Sequence, residues 1–471
     1  MSLAADATAF FEERMQAHGE STRRAVEATW AELTFFGRPV CTALRPLFLD
    51  GRTYDSMLHD AALVVRGLTA VVMHATRDPR ARAELGLSPR QVMFLTRPGH
   101  LPRVVAGRLD GFLGPEGHKV IEHNPFSQGV MCGGLGYMDP LRLAFEQTPV
   151  MRDLKARFRL RPMPMCDTIF DTLRCIHADL DRPGAPHVGL IHVPAPGRSE
   201  ADPVDTDSIA HDLLLSLGEL LERGCEFTIC SLSDLVVQDG QLTDGDGFRI
   251  DIALVNGRRD FLDSCSSENV LLRALRDRAV ATGDGYPLGD LLQHKGLFSE
   301  LTDADSGVPL DEDVAEAVAR SVPWTRRMKK DTTTRFRGEK VALEPFVRAN
   351  RHFLVLKPSA EEGGSGLVLG WDCSAREWDT AVTSALARTD YVVQERVRAG
   401  AQRLPVLKGG VASHLPHHFD INPYIWADGS ARGCLARVSE SERLNLSTGD
   451  GSLTPVFVVD GEEPYQATSS R

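Results

Sequence analysis

Lys357 closes the apolar run Phe353 to Leu356 and precedes an acidic pair, Glu361 and Glu362. Three glycines follow, Gly363, Gly364 and Gly366, before a second apolar run, Leu367 to Leu369. The pattern reads as strand, glycine-rich turn and return strand. Glycines let backbone amides close on polyphosphate oxygens, and a lysine at a strand end adds a fixed positive charge. No Gly-Lys-Ser/Thr leads into a helix, so this is neither a Walker loop nor a dinucleotide fingerprint. A decorated surface hairpin has the same composition, so the chemistry depends on what meets it.

Arg108 to Leu135, RLDGFLGPEGHKVIEHNPFSQGVMCGGL, is the second chemistry-bearing stretch. It reads as two strands joined at Gly-Pro-Glu-Gly. Residues two apart on a strand share a face, so Glu122 and Asn124 point the same way, with Asp110 across the hairpin. Two carboxylates and an amide oxygen suit a hard cation such as Mg²⁺ held against phosphates. A solvated hairpin face is the alternative.

These groups need elements to position them. Residues 1 to about 80 read as mainly helical, with apolar positions at helical spacing in Ala28 to Phe36 and Ser56 to Met73. Gln91 to Leu95 reads as a short strand. From Pro186 to Val255 strands and a helix alternate (His187 to Val193, Ile209 to Arg223, Cys225 to Cys230, Phe248 to Val255), which implies a small α/β domain with a parallel sheet. Arg258 and Arg259 follow a strand's carboxyl end, where open sheets place ligands, and suit a substrate carboxylate or a plain surface. Helices are expected over Ser264 to Ala281 and over Tyr286 to Leu301, the latter carrying Lys295. Val322 to Arg337 is a basic, weakly structured strip able to order over an anion. The strand Tyr391 to Val397, YVVQERV, ends in Gln394, Glu395 and Val397, a candidate adenine hinge with Glu395 toward the ribose. Arg437 and Asn445, near a Gly-Asp-Gly turn, suit phosphate or a negatively charged intermediate.

At 471 residues, 42% apolar and 25% charged, the chain is long enough for two or three domains. A net charge of −12 argues against nucleic acid or an anionic membrane as the main partner. The best apolar run, Ala61 to Met73, is broken by Arg66, and no leader pattern opens the chain, so a cytoplasmic protein is expected. Nine scattered cysteines without a C-x-x-C pair disfavour a disulfide framework.

Taken in order, Lys295, VLKP with its glycine-rich hairpin, YVVQERV and a terminal Arg…Asn…Gly segment resemble the C-terminal part of ATP-grasp enzymes. The Asp…Glu-x-Asn hairpin here precedes them. That order resembles the circularly permuted ATP-grasp ligases, the group of eukaryotic-type glutathione synthetase and glutathionylspermidine synthetase. RLDGF…VIEHNPFSQGVMCGGL is similar to the glutathione synthetase pattern Arg-x-Asp, Ile-Glu-x-Asn and a small-residue stretch ending Gly-Gly-Leu. The resemblance covers about Arg108 to about Val459, and departs where NLSTGDGSLTP replaces a Gly/Ala-rich lid.

The resemblance implies an α/β (α+β) fold, a circularly permuted ATP-grasp with an inserted small Rossmann-like parallel-sheet substrate domain. Its parts are 1–184, a helical region plus the metal-binding hairpin; 185–284, the substrate domain; and 285–471, the nucleotide-binding region. It implies that Lys295 and Lys357 contact ATP phosphates, and that Glu122, Asn124 and Glu361, with Asp110, surround Mg²⁺. Glu362, Gly363, Gly364, Gly366, Gln394, Glu395, Val397 and Asn445 complete the nucleotide site. Arg108 meets a carboxylate or the transferring phosphoryl group, Arg437 neutralises substrate charge, and Ser127, Arg258 and Arg259 face substrate. The implied activity is carboxylate–amine ligation through an acyl phosphate, on small-molecule substrates such as an amino acid, short peptide or polyamine; a homodimer is allowed. A small-molecule kinase or a non-catalytic nucleotide-binding protein would use the same equipment. Any of these requires the Lys357 hairpin to fold back onto Glu122 and Asn124.

Overall fold

The computed structural model describes residues 2–35, 37–97, 105–125, 134–163, 165–192, 211–256, 266, 269–283, 286, 288–360, 366–388, 390–444, 446 and 451–462. Two long helices, Leu3–Ala28 and Gly51–Arg77, open the chain. The second is long and apolar enough to cross a membrane by length and composition, which corrects the expectation drawn from Arg66. Its apolar stripe, with Val64, Leu68, Val71 and Val72, packs against Leu297, Phe298, Val314 and Val318. Arg66 points outward to Asp311 and Asp313. Gly67 permits the close approach, since a Cβ there would lie 2.9 Å from Leu301.

Two local expectations fail for identifiable reasons. Ala28 to Phe36 leaves the helix through a 3₁₀ turn at Thr29–Ala31, and Thr34–Phe35 pairs with Arg38–Pro39. Gln91 to Leu95 belongs to a helix, Pro89–Leu95, because Pro89 occupies the first turn and Ser88 with Gln91 forms a capping box.

The middle of the chain forms a four-stranded parallel sheet in the order Ala281–Thr282, Ile252–Asn256, His187–His192, Glu226–Ser231. Val188, Leu190, Ile191 and Ile252 to Val255 are all buried, as a sheet covered on both faces requires. The run Phe248 to Val255 breaks at Asp251. Its buried carboxylate accepts from Arg182 at 2.6 Å, Arg249 at 2.9 Å and the His187 amide at 3.2 Å. Arg249–Ile250 instead joins a three-stranded antiparallel sheet. Between Ser264 and Ala281 the helix among the described residues is Val270–Arg276, capped by Asn269.

Two antiparallel sheets carry the chemistry-bearing residues. The larger has six strands: Gly451–Leu453, Ala431–Ser439, Val411–Ile425, Gly107–Gly114 and Gly117–Pro125 in order, with Gly400–Lys408 also paired to Val411–Ile425. The smaller runs Thr325–Arg327, Tyr391–Glu395, Leu354–Pro358, Val368–Leu369. A third, Leu47–Asp50 with Val456–Gly461 and Arg159–Arg161, ties the early chain to its C-terminal part.

The strip Val322 to Arg337 is ordered, which corrects its reading as weakly structured. It holds the strand Thr325–Arg327 and, with Glu339–Ala342, the hairpin strand Thr333–Phe336. Aromatic packing fixes it: Phe336 stacks on Phe353 with centroids 5.7 Å apart and meets Trp324 edge-on at 5.3 Å. Several of its charges have partners, Arg326 on Thr334, Arg335 on Asp305 and Arg337 on Glu395.

His118 and His123 are buried in the hairpin that carries Glu122, and burial pushes both imidazoles down to about 4. Between their ordinary value of 6.5 and about 4, the unfolded chain binds protons that the folded chain refuses. Stability is therefore full above pH 6.5 and lost as pH falls, by up to about 1.4 kcal/mol per pH unit for each histidine. Urea midpoints measured from pH 7.5 to 4.5 should fall, and His118→Gln should flatten the slope; a midpoint independent of pH would contradict this burial.

Candidate functional site

Cross-strand register builds the site. Asp110 pairs with Glu122 and Arg108 with Asn124 across the first hairpin; Tyr424 pairs with Arg108, and Asp420 with Arg437. Directly opposed residues share a face. Arg108, Asp110, Glu122, Asn124, Asp420, Tyr424 and Arg437 thus line one face of the six-stranded sheet.

The centre of that face is a buried ion network. Arg108 Nε and Nη2 donate to the two oxygens of Asp110 at 2.6 and 3.2 Å. Arg437 donates from Nη2 to Asp110 at 2.8 Å and from Nε to Asp420 at 2.8 Å. Asp420 Oδ1 accepts from the Arg437 amide at 2.9 Å and from Asn422 Nδ2 at 2.8 Å, and Asn422 Oδ1 accepts from the Gly111 amide at 3.0 Å. Burial alone would raise Asp110, but the two guanidinium groups outweigh it and hold the carboxyl at about 2. Burial wins at Asp420, whose carboxyl is pushed upward despite Arg437. Asp110 thus acts here as an ion-pair anchor, with both oxygens taken by arginine.

The lysines arrive from the other side. Lys295 does not ride one long helix, which corrects that expectation; it lies between the short helices Leu288–Leu292 and Gly296–Leu301. Its amide donates to Ser359 O at 2.9 Å and its Nζ lies 3.3 Å from Glu122 Oε2. Lys357 is buried and donates to Gln394 Oε1 at 2.7 Å, while Gln394 Nε2 donates to Thr325 Oγ1 at 2.9 Å. Burial pulls Lys357 down to about 8; Glu122 opposes the shift and Lys295 adds to it. The Lys357 ammonium thus lies within electrostatic reach of Glu122; the loop of residues 361–365, expected to fold over Glu122 and Asn124, lies outside the described residues. Gly366 closes the return at φ +68°, where a Cβ would lie 2.7 Å from Pro358.

The hinge strand differs in detail. The Glu395 amide donates to Trp324 O and that of Arg396 to Phe353 O, each at 2.8 Å. Two hinge amides are thereby engaged in strand pairing, because Tyr391–Glu395 is internal to its sheet. Gln394 positions Lys357, Glu395 pairs with Arg337, and Val397 is half-buried just beyond the strand. Ser127, Arg258, Arg259, Glu361, Glu362, Gly363, Gly364 and Asn445 lie outside the described residues.

Among the described residues no three His, Cys, Asp or Glu side chains gather as a metal site. Mg²⁺ does not require one, since it takes one or two protein oxygens beside phosphates and water. Glu122 and Asn124 fit that demand by the chemistry of their side-chain oxygens, since they share the face beside Lys295. Sequence reasoning assigned no role to Asp420, Asn422 or Thr325. The alternation Asp420, Asn422, Tyr424 was the available signal, because it puts three polar side chains on one face of a strand.

No protein-family model matches the sequence, and no curated protein matches it. Among solved structures it is similar to a glutathione synthetase-like effector from Globodera pallida, solved in the apo form, at 11% identity and a TM-score of 0.59. That match covers 93% of this chain and 96% of that one. D-alanyl-alanine synthetase A from Vibrio cholerae is a more distant match, at 8% identity and a TM-score of 0.27 over 59% of this chain and 89% of that one, too low to support an argument. The chain therefore has the overall fold of the glutathione synthetase-like effector, a mixed α/β architecture of several sheets.

Proposed function

We propose that this chain is an ATP-dependent carboxylate–amine ligase of the circularly permuted ATP-grasp type. The observation that carries the reading is the meeting of Lys295 and Lys357 with Glu122 and Asn124 at a face that also holds Arg108 and Arg437. These groups come from distant parts of the chain.

In this reading a carboxylate oxygen attacks the γ-phosphorus of ATP, ADP leaves, and an amine displaces phosphate from the acyl phosphate. Such transfer asks chiefly for positioning and charge neutralisation. Glu122 and Asn124 would hold Mg²⁺, which would supply Lewis-acid neutralisation to bound phosphate. Lys357 presents a desolvated point charge aimed by Gln394, and Lys295 exchanges Glu122 for phosphate. Asp110 and Asp420 fix Arg108 and Arg437 beforehand, so their positive charge meets the phosphoryl group without reorganisation. With the Glu395 and Arg396 amides engaged, backbone contact to adenine shifts to Val397. The exclusion of water falls in this reading to the Glu361 to Gly366 loop, and the recognition of small substrates bearing a carboxylate or an amine to Ser127, Arg258 and Arg259.

Hydroxylamine offered with ATP, Mg²⁺ and pools of amino acids, short peptides and polyamines should yield a hydroxamate with equimolar ADP and phosphate. A phosphorylated product without free phosphate would make the protein a kinase, and ATP binding without turnover would make it a non-catalytic binder.

Lys357 gives a second test. Its ammonium titrates near 8 in the free protein, and bound phosphate favours the charged form. Above that pH, binding must take up a proton, so ATP affinity should fall by up to about tenfold per pH unit. Lys357→Arg should remove that dependence between pH 7 and 9; an unchanged profile in the variant would place the titrating group elsewhere.

A further inference from the structure

Resting on the nucleotide reading above, we infer that Arg396, Trp371 and Glu442 form a latch that holds the base end of the nucleotide cleft and ties it to the chain leaving Arg437. The Arg396 guanidinium carbon sits 4.0 Å from the centroid of the Trp371 ring. Its Nη2 donates to both oxygens of Glu442, at 2.7 and 2.9 Å. Its Nε is buried without a hydrogen-bond partner, and the indole face is what covers the guanidinium. One side chain thus joins three segments. Trp371 leaves the return strand of the glycine-rich hairpin, Arg396 leaves the hinge strand, and Glu442 follows Ala431–Ser439, the strand of Arg437.

The position of this contact gives it meaning. Lys295, whose amide is held by Ser359 O just past Leu354–Pro358, reaches Glu122 of the larger sheet beside the Lys357 end of that strand. Arg396 pairs its amide with Phe353, at the opposite end of that strand. At about 3.3 Å per residue the two ends are roughly 13 Å apart. Phosphates at the lysine end place the base toward Glu395, Arg396 and Val397. A planar guanidinium gripping a carboxylate over an aromatic ring is stiff, where a flexible ammonium would not be. Arg396 is therefore a positioning residue: it fixes the cleft's width at the base without touching the phosphates. Arg443 and Asp372, 4.0 Å apart and exposed, follow the same seam.

The test separates the two ends of the ligand. Wild type, Glu442→Gln and Arg396→Lys are titrated by calorimetry with ATP and, separately, with inorganic tripolyphosphate, both with Mg²⁺. Losing the charge-assisted contact should weaken ATP by about tenfold in Glu442→Gln while tripolyphosphate stays within about twofold. Arg396→Lys, which keeps charge but loses the stacked plane, should fall between. Equal weakening of both ligands would reduce the latch to general stability, and unchanged ATP affinity in both variants would overturn it. If wild type binds neither ligand, the nucleotide reading itself fails and the latch with it.

Discussion

The structure depends on the buried network of Arg108, Asp110, Asp420 and Arg437. Four charges on one sheet face are tolerated only because each finds an opposite partner at hydrogen-bond distance. Removing one member would leave an uncompensated buried charge, a loss of about 3–5 kcal/mol by comparison with other buried pairs. The network also joins strands far apart in sequence: Gly107–Gly114 to Ala431–Ser439 through Asp110, with Val411–Ile425 between them. Its geometry sets where positive charge stands on that face, and the flanking pair Glu122 and Asn124 inherits its position from the same register.

Around this centre the two antiparallel sheets take different tasks. The larger supplies acids and arginines whose partners are mostly internal to it. The smaller supplies Lys357, aimed by Gln394 and Thr325, and the short-helix segment at Lys295 closes the gap between them. Bringing two lysines together is unfavourable, and burial at Lys357 makes it more so. Glu122 offsets part of this in the free protein, and an anionic ligand would offset the rest. The site is thus electrostatically poised for an anion.

Much of this was legible in the residues. Alternation placed Glu122 and Asn124 on one face, the apolar runs around Lys357 gave paired strands, and strand–helix alternation after Pro186 gave the parallel sheet. Local chemistry overrode propensity elsewhere. The Ser88–Gln91 capping box turned an apparent strand into a helix, and the aromatic cluster of Trp324, Phe336 and Phe353 ordered a strip that composition alone presents as loose. Partnership was hidden altogether. Nothing in the sequence tells that Asp110 answers Arg437, or that Gln394 holds Lys357, because such pairs depend on register between strands hundreds of residues apart.

In the proposed function Lys295 and Lys357 flank one polyphosphate site beside Glu122. An acyl-phosphate derivative of ATP, which acylates lysines next to bound phosphates, tests it directly when followed by peptide mapping. Labelling is expected at Lys295 and Lys357, suppressed by excess ATP with Mg²⁺. Labelling confined to other lysines, or unaffected by ATP, would contradict it.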